Sequence, residues 1–223
     1  MWSPRTQNDR VKFIETWRDI IENTDNLYMW QDMVTQLIFD NKTVTGVKTK
    51  MGVSFHAKTV ILTNGTFLNG LIHIGKVQLG GGRLAEPSSY GMTEQLAAAG
   101  FTTDRMKTGT PVRIDARSVD YSLMEEQKGD DTYHTFSYLP NVKRTLLQRS
   151  CWMTNTTEES HKVLKENIDD SPLYNGQILG IGPRYCPSIE TKIVTFADKT
   201  SHLLFLEPEG ETTNECYLNG FSS

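Results

Sequence analysis

The sequence TVILTNGTFLNG at residues 59–70 decides which fold this chain is expected to adopt. Its first five residues, 59–63, are apolar or β-branched with no polar alternation, which is the pattern of a parallel strand buried on both faces. Asn64 and Gly65 follow directly, where a strand of an α/β sheet ends and its backbone can approach a ligand. An ordinary turn explains the same two residues, and the pattern does not choose between these interpretations.

The segment before this run is predicted to be rich in strands. Residues 27–30, 33–39, 44–49 and 53–55 are apolar or β-branched and are separated by turn-forming residues. After the run, glycine is dense up to the sequence GGGR at residues 80–83. Successive backbone N–H groups can cradle a phosphate, but neither standard nucleotide-binding glycine motif is present, so a flexible loop explains this sequence as well.

Two helices are predicted in the first half of the chain. Val11, Ile14 and Trp17 recur at helical spacing after Ser3, which is a suitable N-terminal cap. A second helix is expected from about residue 92 to residue 99, ending before Gly100.

Two more helices are predicted in the second half. Thr156 to Glu159 forms a capping-box sequence. Ser188 is the expected cap of a further helix, with Ile189, Ile193 and Phe196 as its apolar positions.

Composition excludes several classes of protein. With 37% hydrophobic and 22% charged residues among 223, the chain has the balance of a globular protein with one large or two small domains. No run approaches the roughly 20 apolar residues that span a bilayer, and the first residues do not form a secretory signal. We therefore expect a cytoplasmic protein with no membrane segment. The net charge of −4 does not indicate a nucleic-acid-binding protein.

A change of character near residue 112 marks the expected domain boundary. Residues 105–117 carry four basic groups, and with Asp104 just before them there are two acidic groups, which gives residues 104–117 a net charge of +2. Such a cluster can contact phosphate, although a solvated surface with local ion pairs is the commoner explanation.

The three cysteines differ in their surroundings. Cys186 lies just before the helix expected at Ser188 and two residues after Arg184, and both the helix dipole and the positive charge favour a thiolate. A half-buried, inert cysteine is the alternative. Cys151 is expected in the core and Cys216 in a strand, and the spacing of the three predicts neither a disulfide framework nor a zinc site.

Seven strings of the sequence together resemble one family. They occupy residues 1–5, 59–70, 72–75, 81–83, 107–117, 181–190 and 205–210 and include KTGTPVRIDAR and IGPRYCPSIE. The family is that of the tRNA uridine 5-carboxymethylaminomethyl modification enzymes, called MnmG or GidA. The resemblance runs essentially from end to end.

This resemblance implies an α/β fold that is α+β in parts. Residues 1–112 would be part of a Rossmann-like FAD-binding domain with a β-meander, and residues 113–223 an incomplete inserted domain that binds NAD and substrate. Family members are much longer, so an internal fragment is expected, without the GxGxxG region and the C-terminal domain. Such a fragment should be inactive and bind FAD weakly or not at all.

The family reaction uses FAD, NADH and methylenetetrahydrofolate. The resemblance implies that the bacterial enzyme is a homodimer and that it joins its GTPase partner MnmE in a heterotetramer. Together they would add an aminomethyl-type group to C5 of the wobble uridine of tRNA. Two other functions remain open from the residues. One is an NAD(P)-linked flavin oxidoreductase acting on a small molecule, and the other is a non-catalytic RNA-binding module, against which the net charge of −4 argues.

The resemblance also assigns site residues. Cys186 matches the functional cysteine, Val34 and Ser89 match flavin contacts, and Gly65 joins them as the glycine after the predicted strand. The segment matching the nicotinamide-nucleotide contacts consists of Gly182, Pro183, Arg184, Tyr185, Pro187, Ser188, Ile189, Glu190, Thr191, Lys192, Ile193, Val194, Thr195 and Phe196.

The chain departs from the family pattern at four positions. Ala85 and Glu86 replace a glycine and an aspartate, so the loop before Ser89 is expected to sit differently. Val112 and Thr191 replace a proline and an aspartate.

Overall fold

The computed structural model describes residues 5–132, 134–140, 142–143, 145–180 and 187–223. Its α-helices are α1 (Arg10–Glu22), α2 (Met92–Ala98), α3 (Glu158–Glu166) and α4 (Ile189–Thr195). Its strands are β1 (Val34–Asp40), β2 (Thr43–Thr49), β3 (Ser54–His56), β4 (Leu71–Ile74), β5 (Val77–Gly80), β6 (Pro111–Asp115), β7 (Glu125–Gln127), β8 (Cys151–Asn155), β9 (Leu203–Pro208) and β10 (Glu215–Ser222). The mixture of helices and sheets confirms the predicted α/β class.

The chain forms two compact units. One comprises residues 1–25, 108–168 and 182–223, and the other comprises residues 26–107 and 169–181. The change of unit at residue 108 lies close to the boundary expected near residue 112. However, α1 clusters with the second predicted half, and residues 169–181 cluster with the first. The cofactor expected in each half stays a prediction.

The unit formed around residues 26–107 contains two small antiparallel sheets. Strands β1, β2 and β3 pair in that order, and β4 pairs with β5. The strands expected at 33–39, 44–49 and 53–55 are therefore present, whereas residues 27–30 form none. Helix α2 is held against β1, because the Gln95 side chain accepts a hydrogen bond of 2.7 Å from the Leu37 N–H. The helix ends as expected, with Gly100 at a φ of 94°.

The parallel strand predicted at residues 59–63 is wrong. These residues form no strand, and the Ile61 side chain is 86% exposed. An apolar run becomes a buried parallel strand only where neighbouring strands bond to both of its edges. Among the described residues, no strand pairs with this run, and every pairing between strands β1 to β10 is antiparallel.

The other unit is built on a five-stranded antiparallel sheet in the order β6-β10-β9-β8-β7. Its buried side chains come from the centre of this sheet and from α4, and they include Ile189, Ile193, Leu204, Leu206 and Cys216. The strand position predicted for Cys216 is confirmed, and Cys151 is partly buried in β8. Burial of Ile189 and Ile193 confirms two of the three apolar positions predicted for α4, whereas Phe196 is exposed.

The N-terminal cap predicted from the sequence is present in α4 but not in α1. Ser188 caps α4 as predicted, since its side chain accepts from the Thr191 N–H. Helix α1 begins later than expected, because Asp9 caps it through the Lys12 N–H, while Ser3 lies outside the described residues.

The capping box of α3 is shifted by one residue from the predicted one. Thr157 and Ser160 form it, instead of Thr156 and Glu159. Thr156 is buried, and its hydroxyl lies 2.7 Å from Nε2 of His161.

Candidate functional site

Ser89 joins the start of β1 to the turn at residues 67–69. Its hydroxyl donates a hydrogen bond of 2.5 Å to the main-chain carbonyl of Val34. Its N–H donates to the Phe67 carbonyl and its carbonyl accepts from the Asn69 N–H, each at 2.9 Å. Ser89 is buried, so these bonds fix its position. The structure thus brings together Val34 and Ser89, the two residues predicted to contact flavin.

Gly65 lies in a turn close to these residues. The Phe67 N–H closes the turn on the Asn64 carbonyl at 3.0 Å. Gly65 has a φ of 53°, and a Cβ added there would meet no described atom within 4 Å. The turn that the sequence allowed at Asn64–Gly65 is therefore present. Gly65 stands two residues before Phe67, whose carbonyl accepts the Ser89 N–H.

The glycine-rich stretch packs against the same turn. A Cβ on Gly82 would lie 2.5 Å from the Phe67 ring, and one on Gly70 would lie 2.4 Å from the Thr66 carbonyl oxygen. The Gly81 N–H already donates to the Gly70 carbonyl at 3.1 Å. Close approach of main chains therefore explains these glycines, and this N–H group does not serve a phosphate.

Asn69 is a residue of this site that the sequence reasoning missed. Its side-chain amide donates 2.8 Å to Glu94, and its carbonyl accepts 2.7 Å from the Arg105 guanidinium. The hydrogen bond from Asn69 is the main reason why the pKa of the Glu94 carboxyl lies below its ordinary value. The available signal was the dipeptide Asn69–Gly70, because asparagine and glycine favour turns with positive φ.

The segment predicted to contact the nicotinamide nucleotide is described only from Pro187 onward. Gly182, Pro183, Arg184, Tyr185 and the predicted catalytic Cys186 lie outside the described residues. Their roles stay predictions.

Four polar side chains of the described part of this segment, those of Ser188, Glu190, Thr191 and Lys192, are bonded to the protein. Besides the cap at Ser188, a carboxylate oxygen of Glu190 accepts 2.6 Å from the Ser223 hydroxyl, and the Lys192 ammonium donates 2.7 Å to the Gly220 carbonyl. The hydroxyls of Ser188 and Thr191 lie 3.1 Å apart. The exposed residues are Val194, Thr195 and Phe196. Among the described residues 187–196, a nucleotide would therefore meet these three exposed residues or main-chain groups.

A cluster of ion pairs joins three of the strings that carry the resemblance. Arg5 lies 2.6 Å from the buried carboxylate of Glu207, whose other oxygen accepts 3.1 Å from the Asn219 amide. Arg113 lies 3.0 Å from Glu209. These residues come from the strings at 1–5, 107–117 and 205–210, and their sequence separation hid the pairing. The cluster borders an open polar groove of about 450 Å³.

The basic cluster predicted at residues 105–117 is largely engaged in local contacts. Arg105 bonds the Asn69 carbonyl, Arg113 pairs with Glu209, and Arg117 pairs with Asp115 at 2.6 Å. The hydrogen bonds from Arg117 lower the pKa of the Asp115 carboxyl to about 2. The interpretation as a surface with local ion pairs is therefore confirmed for Arg113 and Arg117, whereas Arg105 bonds a main-chain carbonyl.

Two histidine rings stack between α3 and the start of β9. The centroids of His161 and His202 lie 5.3 Å apart with an interplanar angle of 28°. Burial, followed by repulsion from His161, Lys192 and Lys199, lowers the pKa of His202 below its ordinary value. Among the described residues its Nε2 has no hydrogen-bond partner. The arrangement favours a neutral His202.

The described residues contain neither a metal-binding group nor a membrane-spanning helix. In the part of the chain that the structure describes, no three histidine, cysteine, aspartate or glutamate side chains form a group that could hold a metal ion. None of the helices in that part combines the length and hydrophobicity needed to cross a membrane.

Comparison with known proteins decides the family. The family model described as "Glucose inhibited division protein A" matches residues 1–223. The chain belongs to the GidA family. This confirms the resemblance inferred from the seven strings.

Curated relatives of this GidA-family chain are considerably longer than it is. It is 64% identical to the tRNA uridine 5-carboxymethylaminomethyl modification enzyme MnmG of Parabacteroides distasonis, covering 100% of the chain and 36% of that protein. It is 61% identical to the MnmG of Porphyromonas gingivalis with the same coverage of both proteins. The chain thus spans about a third of the length of these relatives.

A solved structure supports the same assignment. The form I crystal structure of Aquifex aeolicus GidA matches 99% of the chain and 38% of its own length, with a TM-score of 0.89 and 45% sequence identity. This level of similarity extends the GidA assignment from the sequence to the fold.

Proposed function

We propose that this chain forms part of a flavin-dependent enzyme that modifies C5 of the wobble uridine in tRNA. The observation that carries the proposal is the family match over residues 1–223, with relatives named as tRNA uridine 5-carboxymethylaminomethyl modification enzymes. Since the chain covers 36% of the length of the Parabacteroides distasonis relative, the activity is proposed for a protein of that length.

Val34, Gly65 and Ser89 are the residues proposed to hold the flavin. The Ser89 hydroxyl fits a polar ligand, because it donates its only hydrogen to the Val34 carbonyl and its oxygen can still accept a hydrogen bond. Gly65 leaves the turn open to an approaching group. When bound, FAD supplies the redox chemistry that the side chains lack. Ser89 orients the start of β1 for this ligand through its bond to Val34.

Cys186 is proposed as the functional thiol. C5 of uracil is a poor nucleophile, and addition of a nucleophile at C6 gives it enolate character. Arg184 and the start of α4 are the groups proposed to keep the thiol of Cys186 ionised. Whether this sulfur attacks the ring or acts elsewhere in the reaction is left open.

The remaining participants rest on the resemblance alone. They are NADH as reductant, methylenetetrahydrofolate as the one-carbon donor, a second copy of the protein, and the GTPase MnmE in a heterotetramer. The nicotinamide-nucleotide segment at residues 182–196 belongs to this group, because the side chains of Ser188, Glu190, Thr191 and Lys192 are already bonded within the protein.

A chimera tests the proposal. These 223 residues would replace the matching segment of the Parabacteroides distasonis protein, to which they are 64% identical. Expressed in a strain that lacks the enzyme, the chimera should bind flavin and restore the modified wobble nucleoside, measured by mass spectrometry of digested tRNA.

Two variants of the chimera locate the functions. Cys186→Ser should retain flavin and lose the modified nucleoside, whereas Ser89→Ala should lose flavin. A folded, flavin-loaded chimera that restores no modification would overturn the proposed activity. The 223-residue chain alone is expected to purify without stoichiometric flavin absorbance.

A further inference from the structure

We propose that Asn69 is the positioning residue that holds the Ser89 segment in its flavin-binding geometry. The inference rests on the proposed flavin contact of Ser89. It adds a residue that connects this contact to α2 and to Arg105.

Asn69 bonds three segments of its unit at once. Its main-chain N–H donates 2.9 Å to the Ser89 carbonyl, and its main-chain carbonyl accepts 2.7 Å from Arg105. Its side-chain Nδ2 donates 2.8 Å to Glu94 in the first turn of α2. Leu68 also forms a parallel bridge with Ser89. A displacement of Asn69 would therefore move the main chain that fixes Ser89.

The backbone of Asn69 explains why this position suits an asparagine. Its φ is 48°, in the left-handed region that costs most residues about 1–2 kcal/mol and that asparagine and aspartate tolerate best after glycine. Glycine would accept this φ but would lose the bond to Glu94. Asparagine thus satisfies both requirements, a positive φ and a side-chain donor aimed at a carboxylate.

The oxygen of the side-chain amide supports a functional role. Within the described part of the chain, Oδ1 of Asn69 is buried and has no hydrogen-bond partner. Such unsatisfied acceptors are rare and costly, so a residue that carries one is retained for another purpose. Holding the Ser89 carbonyl and Glu94 in a fixed relation is the purpose that the geometry points to.

An exchange of donor and acceptor tests the inference in the full-length chimera. Asn69→Asp keeps the size and the tolerance for positive φ, but it places a carboxylate against Glu94. We expect FAD affinity to fall about ten-fold, which corresponds to one hydrogen bond to a charged group. The double variant Asn69→Asp/Glu94→Gln restores a donor and an acceptor in reversed order, so its FAD affinity should return to within about three-fold of the parent.

Asn41→Asp is the matched control. Asn41 also has a positive φ, of 53°, and its amide donates 3.1 Å to the carboxylate of Asp40. It lies in the β1–β2 turn, at the opposite end of β1 from Val34. This substitution should leave FAD affinity unchanged. FAD affinity would be measured by fluorescence quenching on flavin-free protein, with thermal unfolding of each flavin-free variant recorded alongside.

The outcomes separate this inference from the proposed function. If Ser89→Ala does not weaken FAD binding, the proposed flavin contact fails, and the role of Asn69 fails with it. If Ser89→Ala weakens binding while Asn69→Asp does not, the inference alone is overturned. It is also overturned if the double variant gives no recovery, or if the affinity lost by Asn69→Asp is matched by Asn41→Asp. Recovery in the double variant, at unchanged thermal stability of the flavin-free proteins, is the result expected.

Discussion

The guanidinium of Arg5 lies 2.6 Å from the carboxylate of Glu207, although the two residues stand near opposite ends of the chain. The Glu207 side chain is only 6% exposed, whereas that of Arg5 is 54% exposed. The hydrogen bond to Glu207 is also the main reason why the pKa of Arg5 is raised. A buried carboxylate at the sheet is thus neutralised by a residue that approaches from solvent.

Arg5→Gln should destabilise the chain, because among the described residues it leaves the buried Glu207 carboxylate with the Asn219 amide as its one remaining side-chain partner. Hydrogen bonds to charged groups contribute about 1.5–3 kcal/mol, and solvent around Arg5 reduces this, so we expect a loss of about 1 kcal/mol in the free energy of unfolding. Urea denaturation measures it.

Arg10→Gln is the control, since Arg10 stands 3.9 Å from Glu209 and is half exposed. Its effect should stay below about 0.5 kcal/mol. Adding Glu207→Gln to Arg5→Gln should recover part of the loss, because a neutral amide costs less to bury than a carboxylate. Equal effects of the two arginine substitutions would contradict this account.

Ala85 should be replaceable by glycine with a gain in stability. Its φ is 65°, in a turn where the Glu86 N–H donates 3.0 Å to the Arg83 carbonyl. The left-handed region costs alanine about 1–2 kcal/mol, and the extra entropy that glycine loses on folding offsets about 0.5–1 kcal/mol of this. We expect Ala85→Gly to raise the free energy of unfolding by about 0.5–1 kcal/mol.

Ala97→Gly is the comparison for this prediction. Ala97 lies inside α2, where glycine is unfavourable by about 0.5–1 kcal/mol, so the same substitution should act in the opposite direction. Both variants would be measured by the same denaturation experiment. A loss of stability for Ala85→Gly would show that its backbone is not strained.

Local signals in the sequence predicted local structure well. The ends of α2 and α4 follow from Gly100 and Ser188, because a cap acts on groups within one helical turn. The hairpin of β1 and β2 follows from the turn residues 40–42, which stand next to both strands.

Features that depend on distant partners were not predictable in this way. Residues 59–63 have the composition of a buried strand but no described strand beside them. The pairing of Arg5 with Glu207 has no local signature either. The flavin contacts proposed at Val34 and Ser89 came from resemblance, and only the structure shows that these two residues are bonded to each other.

His202 should make the stability of its unit depend on pH. Its pKa lies below the ordinary value of 6.5, so the unfolded chain binds more protons than the folded one just below pH 6.5. The stabilisation is therefore complete above about pH 6.5 and is lost as the pH falls from there through the lower pKa of the folded state. NMR titration of the histidine ring protons should show a folded-state midpoint below the one in urea.

His202→Phe removes the titrating group and keeps a ring in the stack with His161 and Phe196. The main-chain bonds between residue 202 and Thr156 do not depend on the ring. We expect the free energy of unfolding of this variant to fall less between pH 7.5 and pH 5.5 than that of the parent. An identical pH dependence for both proteins would exclude His202 as the source.

Cys186 is expected to react faster with alkylating reagents than the other two cysteines. The sequence places it next to Arg184 and before the helix that Ser188 caps, and positive charge and the helix dipole both favour the thiolate. Burial raises the pKa of Cys151 and of Cys216, so these two thiols serve as internal references. Iodoacetamide labelling over a range of pH, quantified for each cysteine by mass spectrometry, should give an apparent pKa for Cys186 below the ordinary value of about 8.5.

Arg184→Gln should move this midpoint upward, because it removes the positive charge and leaves the helix cap. Should Cys186 label no faster than Cys151 at neutral pH, or should Arg184→Gln leave its midpoint unchanged, the proposed ionised thiol would have to be abandoned.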